Sequence, residues 1–182
     1  MTDFTVHDVS SAPEAAKPLL ENSQKNFGFI PNLHGVLAES PETLKAYGLL
    51  TDLFGQTSLS AEERNVVWLA VNVEHECRYC VPAHSAIAKM QGVSAETVTA
   101  LRDASPLDDP RLEALRAFAL QVVRQRGDVS GGDVATFLEA GFTKRNVLDV
   151  ILGIAHKTIS NYANHIAETP SDPAFAGEAW NP

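Results

Sequence analysis

Along most of the chain, hydrophobic residues recur every three to four positions, which is the spacing of helices that bury one face. Ser40 and Pro41 supply an N-cap and a first-turn proline for one such stretch. Ser60 and Glu63 have the spacing of a capping box, so another helix begins there. No segment shows the alternation of a half-buried strand. The pattern therefore predicts an all-α fold.

The remaining helices are placed by their caps, glycines and prolines. They are predicted over 13–26, from a few residues before Pro82 to 91, and over 94–105, 110–126, 130–140 and 144–167. A hydrophobic turn over 27–32, which contains Gly and Pro, ends the first of them. After the last helix we expect a tail that wraps the surface and is anchored by Trp180.

Two of these helices carry apolar residues on nearly every face. The helix after Ser60 leaves almost no polar face, so it is either enclosed on all sides or shared with another subunit. In the last helix the residues predicted to be buried are Val147, Leu148, Val150, Ile151, Leu152, Ile154 and Ala155. Because one subunit of this size has difficulty covering both helices, we expect a homo-oligomer.

Length and composition agree with one globular domain. The chain has 182 residues, of which 45% are hydrophobic and 20% charged, which is the usage of an ordinary folded protein. We expect a single multi-helix bundle over 1–182. Its parts are N-terminal helices and the turn over 1–58, a cysteine-containing core over 59–168 and a tail over 169–182.

Charge excludes several classes of partner. The formal net charge is −9, and no concentrated basic face is visible, so we expect neither nucleic acid nor an anionic membrane surface as a partner. The first residues lack the pattern of a secretory signal, and no apolar run is long enough to span a bilayer. The sequence therefore predicts a cytoplasmic protein. In that reducing compartment, a pair of cysteines three positions apart indicates redox or metal chemistry.

The informative motif contains Cys77, Cys80 and His84. Pro82 cannot lie deep in a helix, so a helix begins only a few residues before it and both cysteines lie at or just ahead of its N-terminus. That position favours thiolate over thiol. Cys80 and His84 share a helix face at i, i+4, so His84 can serve as a base and Cys80 as the attacking thiol. In thioredoxin-like motifs the first cysteine attacks instead.

Two alternatives remain open at this point. The cysteines could be two small buried hydrophobic residues with no chemistry. They could also bind zinc together with His84 and His75, although structural zinc usually takes its second ligand pair from a distant segment. We therefore expect no metal and no cofactor.

The motif resembles the carboxymuconolactone decarboxylase and alkylhydroperoxidase D-like superfamily. The resemblance covers 59–64, the apolar helix, 77–84 and Gly92, and a likeness to peroxidase-related members extends to 29–33 and 157–165. It implies an all-helical subunit of the alkylhydroperoxidase D-like type, assembly into trimers or hexamers, and peroxide reduction through an intramolecular disulfide. Decarboxylating members characteristically lack the cysteine pair, so the resemblance favours the redox branch.

The sequence departs from that family at two positions. Alkylhydroperoxidase D relays a proton through a glutamate twelve residues before the first cysteine, where this chain has Asn65, and Tyr79 replaces a histidine between the cysteines. An amide cannot accept a proton at ordinary pH. Glu74 is the nearest alternative carboxylate along the chain, and a solvated turn residue is the other interpretation of it.

The last helix supplies a further candidate pair. Asn161 and His165 share one face at i, i+4, and the family likeness could bring that face toward the cysteines, although a structural histidine is the commoner outcome.

The leading hypothesis is a thiol-dependent peroxidase with Cys80, Cys77, His84 and Glu74 as catalytic residues. Cys80 would attack a hydroperoxide or a related small electrophile, Cys77 would resolve the sulfenic acid to a disulfide, and an external dithiol would restore the pair. A dithiol-disulfide carrier or redox sensor without peroxidase activity is the second hypothesis. A non-catalytic helical assembly module is the third.

Overall fold

A computed structural model describes residues 4–182, and over this range the chain contains α-helices, two 3-10 helices and no strand. The α-helices are α1 (Lys17–Phe27), α2 (Asn32–Leu37), α3 (Pro41–Gly55), α4 (Ala61–Glu74), α5 (Cys80–Met90), α6 (Ala95–Arg102), α7 (Pro110–Arg124), α8 (Gly131–Glu139) and α9 (Lys144–Ala167). The 3-10 helices are Glu14–Ala16 and Pro173–Glu178. The predicted all-α fold is confirmed.

The predicted caps begin the helices as expected. The Ser60 hydroxyl accepts from the Glu63 amide and the Glu63 carboxylate accepts from the Ser60 amide, which completes the capping box. The Ser40 hydroxyl caps α3 by accepting from the Thr43 amide at 3.4 Å, without a reciprocal bond. The short helix α2 was not predicted, because the turn signals of Gly28 and Pro31 lie just ahead of it. No helix within residues 4–182 is long and apolar enough to cross a membrane.

The helix α4 lies at the centre of the larger core and packs against α5, α6, α7 and α9. Val66, Val67, Leu69 and Val71 are fully buried within the chain. Of the two alternatives for this apolar helix, enclosure within the subunit is therefore the correct one.

The prediction for the buried face of α9 was correct only in part: Val150 is fully buried, and Val147, Leu152 and Ile154 are partly buried against the larger core. Leu148 and Ile151 are 67% and 46% exposed, and Ala155 is also exposed. The buried residues of α9 are mostly polar, namely Asn146, Asp149, Val150, Gly153, His156, Lys157, Ser160, Asn161 and Asn164. A helix can turn only one stripe toward α3 and α4, and here the stripe of small and polar residues faces inward.

Gly153 allows α9 to approach its neighbours closely. A Cβ atom at this position would lie 2.7 Å from the Phe54 ring of α3 and 3.0 Å from Val67 of α4. Because Gly153 has no side chain, the polar stripe that follows it on α9 reaches the interior of the bundle.

A second, smaller core covers the cysteines. Cys77, Tyr79 and Cys80 pack in one hydrophobic cluster with residues of α1, α2 and α3, including Leu20 and Leu33. The N-terminal helices therefore form a layer over the cysteine motif, and this layer determines how the motif is reached.

Candidate functional site

The two cysteines lie at the junction of α4 and α5. Glu76 adopts a left-handed conformation, with φ 51°, and reverses the chain between the two helices. Cys80 is the first residue of α5, and its amide donates to the Cys77 sulfur at 3.3 Å. Cys77 is 0% and Cys80 2% exposed, and both thiols are free. The pair therefore occupies the helix start that the sequence predicts, in a fully buried setting.

Amide side chains of α9 surround Cys80. The Asn164 Nδ2 donates to the Cys80 sulfur at 3.2 Å. One turn earlier, the Asn161 Nδ2 donates to Asn72 Oδ1 at 2.8 Å, and Asn161 Oδ1 lies 2.8 Å from His75 Nδ1. The Oδ1 atom of Asn164 is buried and has no hydrogen-bond partner among the described residues. Cys80 thus lies beside an unused acceptor that a small polar ligand could engage.

A buried lysine completes the site. Lys157 of α9 is 0% exposed, and its Nζ atom lies 2.7 Å from the His84 Nε2. The Trp68 and Tyr47 rings lie 5.5 and 5.8 Å from the same ammonium. Burial lowers the pKa of Lys157 to about 8, against the opposing effect of the Cys80 and Cys77 thiols. An unpaired buried ammonium costs of the order of several kcal/mol, so this lysine needs an anion nearby.

The surroundings give the two thiols opposite properties. Burial alone would raise the pKa of Cys80, but the hydrogen bond from Cys77 and the charge of Lys157, with help from amide groups of α9, lower it to about 6. The hydrogen bond to Cys80 and burial raise the pKa of Cys77 far above its ordinary value. At neutral pH Cys80 is therefore mainly a thiolate, and Cys77 a neutral thiol that donates to it.

Lys157 and Asn164 were missed by the sequence analysis. A signal for them exists, because Gly153, Lys157, Asn161 and Asn164 recur at helical spacing and mark one face of the last helix. The prediction relied instead on the large apolar residues in the first turns of this helix, over 147–155.

The other candidates have different positions. The buried imidazole of His84 contacts Lys157, and no hydrogen bond joins it to Cys80 within residues 4–182. Glu74 accepts from Arg124 of α7 through both carboxylate oxygens, at 2.8 and 2.7 Å. None of the hydrogen bonds or ion pairs of Glu74 in that range reaches a cysteine. The structure thus brings His84 and Asn161 into the site, while Glu74 is ion-paired at α7 and His165 is exposed.

Tyr79, one of the two residues between the cysteines, joins the tail to the motif by a hydrogen bond. Its hydroxyl donates to the Asp172 carboxylate and accepts from the Leu33 amide at 3.2 Å. The same carboxylate accepts from the Asn32 amide at 3.0 Å. We call this cluster of Asn32, Leu33, Tyr79 and Asp172 the tail clasp. It joins α2, the cysteine motif and the tail.

The described residues hold no group of three or more His, Cys, Asp or Glu side chains arranged to bind a metal ion. His75, the fourth residue of the zinc alternative, has its Nδ1 atom 2.8 Å from Asn161.

A segment that contains both cysteines and His84 matches a known family model, that of the carboxymuconolactone decarboxylase family, over residues 41–121. The family resemblance predicted from the cysteine motif is thereby confirmed. Lys157 and Asn164 lie beyond the segment, so the site combines family positions with residues of α9. No curated protein matches the chain in sequence.

Solved structures share the whole fold. An uncharacterized peroxidase-related protein from Ralstonia eutropha JMP134, described as an alkylhydroperoxidase AhpD core, is 23% identical with a TM-score of 0.83, covering 96% of both chains. One from Silicibacter sp. TM1040 is 21% identical with a TM-score of 0.81, covering 98% of both chains. The debrominase Bmp8, as a cysteine-to-alanine variant with 2,3,4-tribromopyrrole, is 19% identical with a TM-score of 0.81, covering 98% of this chain and 96% of its own. At these identities the likeness establishes the alkylhydroperoxidase D-like fold.

Asn65, which the resemblance places at the position of the relay glutamate, is buried and makes no hydrogen bond to either cysteine within residues 4–182. Asn65 donates to the Ala61 carbonyl and to Gln91 at the far end of α5, both at 2.8 Å. Its amide has no acid-base capacity. Any proton transfer at Cys80 must therefore use a different group.

Proposed function

We propose that this protein is a thiol-dependent oxidoreductase that reduces hydroperoxides through Cys80 and Cys77. The observation that carries the proposal is the setting of the buried Cys80 sulfur, which accepts a hydrogen bond from the Asn164 side-chain amide at 3.2 Å and experiences the charge of Lys157. Thiolate character is what a thiol needs for nucleophilic attack. Two incidental core cysteines would not require a buried cation beside them.

The proposed cycle begins with the attack of the Cys80 thiolate on the outer peroxide oxygen. The S–O bond forms as the O–O bond breaks, the alcohol leaves after taking up a proton, and Cys80 becomes a sulfenic acid. The Cys77 sulfur then displaces the sulfenic oxygen as water, and a disulfide joins the two residues. An external dithiol reduces this disulfide and is itself oxidised.

Asn164 supports the choice of a hydroperoxide as substrate. Its Nδ2 faces the Cys80 sulfur, while its Oδ1 is a buried acceptor without a partner among the described residues. A hydroperoxide carries one O–H donor next to the oxygen that sulfur attacks. Asn164 can therefore accept from the substrate while its amide orients the thiolate.

The test counts free thiols in the intact protein. One equivalent of cumene hydroperoxide is added, thiols are titrated after denaturation, and a dithiol such as dithiothreitol follows. We expect both thiols to be lost within the first turnover and both to return. Reaction with an added disulfide but not with hydroperoxide would indicate a dithiol-disulfide carrier instead. Inertness to both reagents would indicate an assembly module and contradict the proposal.

A halogenated aromatic is the second candidate electrophile. The debrominase with this fold was solved with a brominated pyrrole. In this protein the Trp68 and Tyr47 rings lie beside Lys157, where an aromatic substrate could pack against them. Two thiols supply the two electrons that replace a carbon-bound bromine by hydrogen, with bromide and a disulfide as products. Bromide release from a bromophenol or bromopyrrole, measured against the same thiol count, distinguishes this substrate class from hydroperoxides.

A further inference from the structure

Most of the titratable groups around Lys157 cannot balance its positive charge. The titratable side chains that face it are Cys77 and Cys80 from the motif, His84 of α5, His34 of α2, Tyr47 of α3 and His156 of α9. No carboxylate is among them, and no ion pair within residues 4–182 includes Lys157. A buried charge is retained in proteins when it is paired.

The three imidazoles do not supply the missing anion. Burial, followed by the charge of Lys157, lowers the pKa of His34 to about 4 and that of His84 well below its ordinary value. Burial also lowers the pKa of His156, so all three rings are neutral. The remaining partner is the Cys80 thiolate. Cys80 lies one turn before His84 on α5, and His84 contacts Lys157 at 2.7 Å. The Asn164 amide, on the same buried face of α9 as Lys157, donates to the Cys80 sulfur at 3.2 Å.

We propose that Lys157 is the counter-cation of the Cys80 thiolate and the proton donor to the oxygen that leaves when this thiolate attacks. The second half of this statement rests on the proposed function, and the first half does not. Lys157 would then replace the carboxylate that the family keeps at the position of Asn65.

The proton balance of the cycle closes with Lys157 as the donor. The thiolate bonds to the outer oxygen of ROOH, the O–O bond breaks, and the leaving RO⁻ takes a proton from the ammonium to give ROH and a neutral amine. Cys77 then gives its proton to the hydroxyl displaced from the sulfenic acid, so water leaves as the disulfide forms. The oxidised site contains a disulfide and a neutral Lys157, with no unpaired charge. Reduction by the external dithiol restores the thiolate and the ammonium together.

His84 acquires a positioning role in this arrangement. With the ammonium as the donor, His84 Nε2 accepts at 2.7 Å and its proton resides on Nδ1, which has no partner in the described chain. The ring thus fixes the position of the Lys157 ammonium one helical turn from Cys80, instead of taking the proton from Cys80 itself. The edge of the Trp68 indole, 5.1 Å from the His84 ring between centroids, fixes the imidazole in turn.

The first experiment measures thiolate formation against pH in the reduced full-length protein, by ultraviolet absorbance, for the wild type and Lys157→Met. Methionine keeps the length of the side chain without its charge. We expect the midpoint of Cys80 to rise by about one pH unit or more in the variant, as is typical when an opposite charge is removed. The exposed Lys45→Met serves as the control and should match the wild type. An unchanged midpoint of Cys80 in Lys157→Met would show that Lys157 does not stabilise the thiolate and would overturn its role as counter-cation.

The second experiment isolates proton donation. Single-turnover oxidation by cumene hydroperoxide is followed at a pH below the midpoint of the Lys157 ammonium in the wild type. Each rate is divided by the fraction of Cys80 thiolate that the absorbance titration gives for that protein at the same pH. Loss of a positioned proton donor should leave Lys157→Met at least about tenfold slower. Equal rates would overturn the donor role. If the wild type itself does not react with hydroperoxide, the proposed function fails, while the absorbance titration still decides the counter-cation.

A reciprocal measurement covers the case in which Lys157→Met does not fold. The side-chain ¹³Cε signal of Lys157 is titrated by NMR in the wild type and in Cys80→Ser, where the lysine is intact. Loss of the thiolate should lower the midpoint of Lys157 by about one pH unit or more. The same midpoint in both proteins would show that the two charges are not coupled and would overturn the proposal.

Discussion

At the scale of single residues, the two cysteines differ although they are three positions apart. Cys80 receives an amide from α9 and the field of a buried cation, while Cys77 is a neutral donor to it. The sequence argument favoured Cys80 because His84 follows four residues later. The structure favours the same residue for a different reason, since His84 contacts Lys157.

This asymmetry predicts different outcomes for the two serine variants. After one equivalent of hydroperoxide, Cys80→Ser should remain unmodified, because the neutral Cys77 thiol is a poor nucleophile. Cys77→Ser should react once and stop as a sulfenic acid on Cys80, because the serine hydroxyl still donates to the thiolate but cannot resolve the product. Mass spectrometry of both proteins gives the answer. An added oxygen on Cys77 of the first variant, with none on Cys80 of the second, would reverse the assignment.

At the scale of elements, access to the site depends on the layer over the cysteines. Cys77 and Cys80 are buried beneath α1, α2 and α3, and the tail clasp closes the edge of this layer. The tail is also fixed further along, where the Trp180 indole donates to the Arg102 carbonyl as the sequence suggested. A substrate must therefore reach the thiols through local opening of this layer.

Weakening the tail clasp should speed that opening. Asp172→Asn removes charge-assisted hydrogen bonds to Tyr79 and to the Asn32 amide, which are worth about 1.5–3 kcal/mol. We expect thiol alkylation by iodoacetamide to become about tenfold faster in the folded protein, as the open state gains population. The exposed Asp128→Asn should alkylate at the wild-type rate. If Asp172→Asn shows no acceleration, the thiols are reached by another route.

At the scale of the whole molecule, three buried neutral histidines couple stability to pH. The folded-state pKa of His34, His84 and His156 lies below the ordinary value of 6.5, because burial disfavours the charged ring. As the pH falls below 6.5 the unfolded chain takes up protons that the folded chain cannot. The stability that the neutral rings contribute is therefore fully present above pH 6.5 and is lost progressively as the pH falls. For His34 this loss continues down to its folded-state pKa of about 4.

Each of these rings should contribute roughly 1.4 kcal/mol per pH unit within its window. Denaturant unfolding at a series of pH values between those limits measures the slope. His156→Gln removes one of these rings, so it should reduce the slope of the free energy of unfolding against pH by roughly 1.4 kcal/mol per pH unit. This change in slope is expected whatever the variant does to the free energy of unfolding at any single pH. His165→Gln, on the exposed side of α9, should leave the slope unchanged. Identical slopes for the wild type and His156→Gln would contradict this origin of the acid sensitivity.

The outer face of α9 predicts self-association. Leu148 and Ile151 on α9 are exposed, as are Leu49 and Leu53 on α3, which packs against α9. Contiguous apolar surface of this kind indicates an interface, and the family resemblance implies a trimer or hexamer. Ile151→Glu should lower the sedimentation coefficient at micromolar concentration. Met90→Glu, at the 86% exposed end of α5, is the matched control. A wild-type monomer under these conditions would contradict the prediction.

Most of the helices, their caps and the cysteine motif could be predicted from the sequence, because they depend on local backbone chemistry and on spacing within one helix. The short helix α2 was the exception. Ser60, Glu63, Pro82 and the pair of cysteines carried that information without reference to the rest of the chain. The family segment followed from the same residues.

The face of α9 that turns inward is selected by tertiary packing. The apolar residues of α9 suggested one face, but close packing at Gly153 and the burial of a polar stripe selected another. That choice brings Lys157 and Asn164 toward Cys80 across more than seventy residues of sequence. The packing of α4 against α7 separately places Glu74 in an ion pair with Arg124. The spacing of residues in a sequence shows which side chains are neighbours along one helix. The charge that favours the Cys80 thiolate comes from Lys157 on a different helix, so only tertiary packing brings the two together.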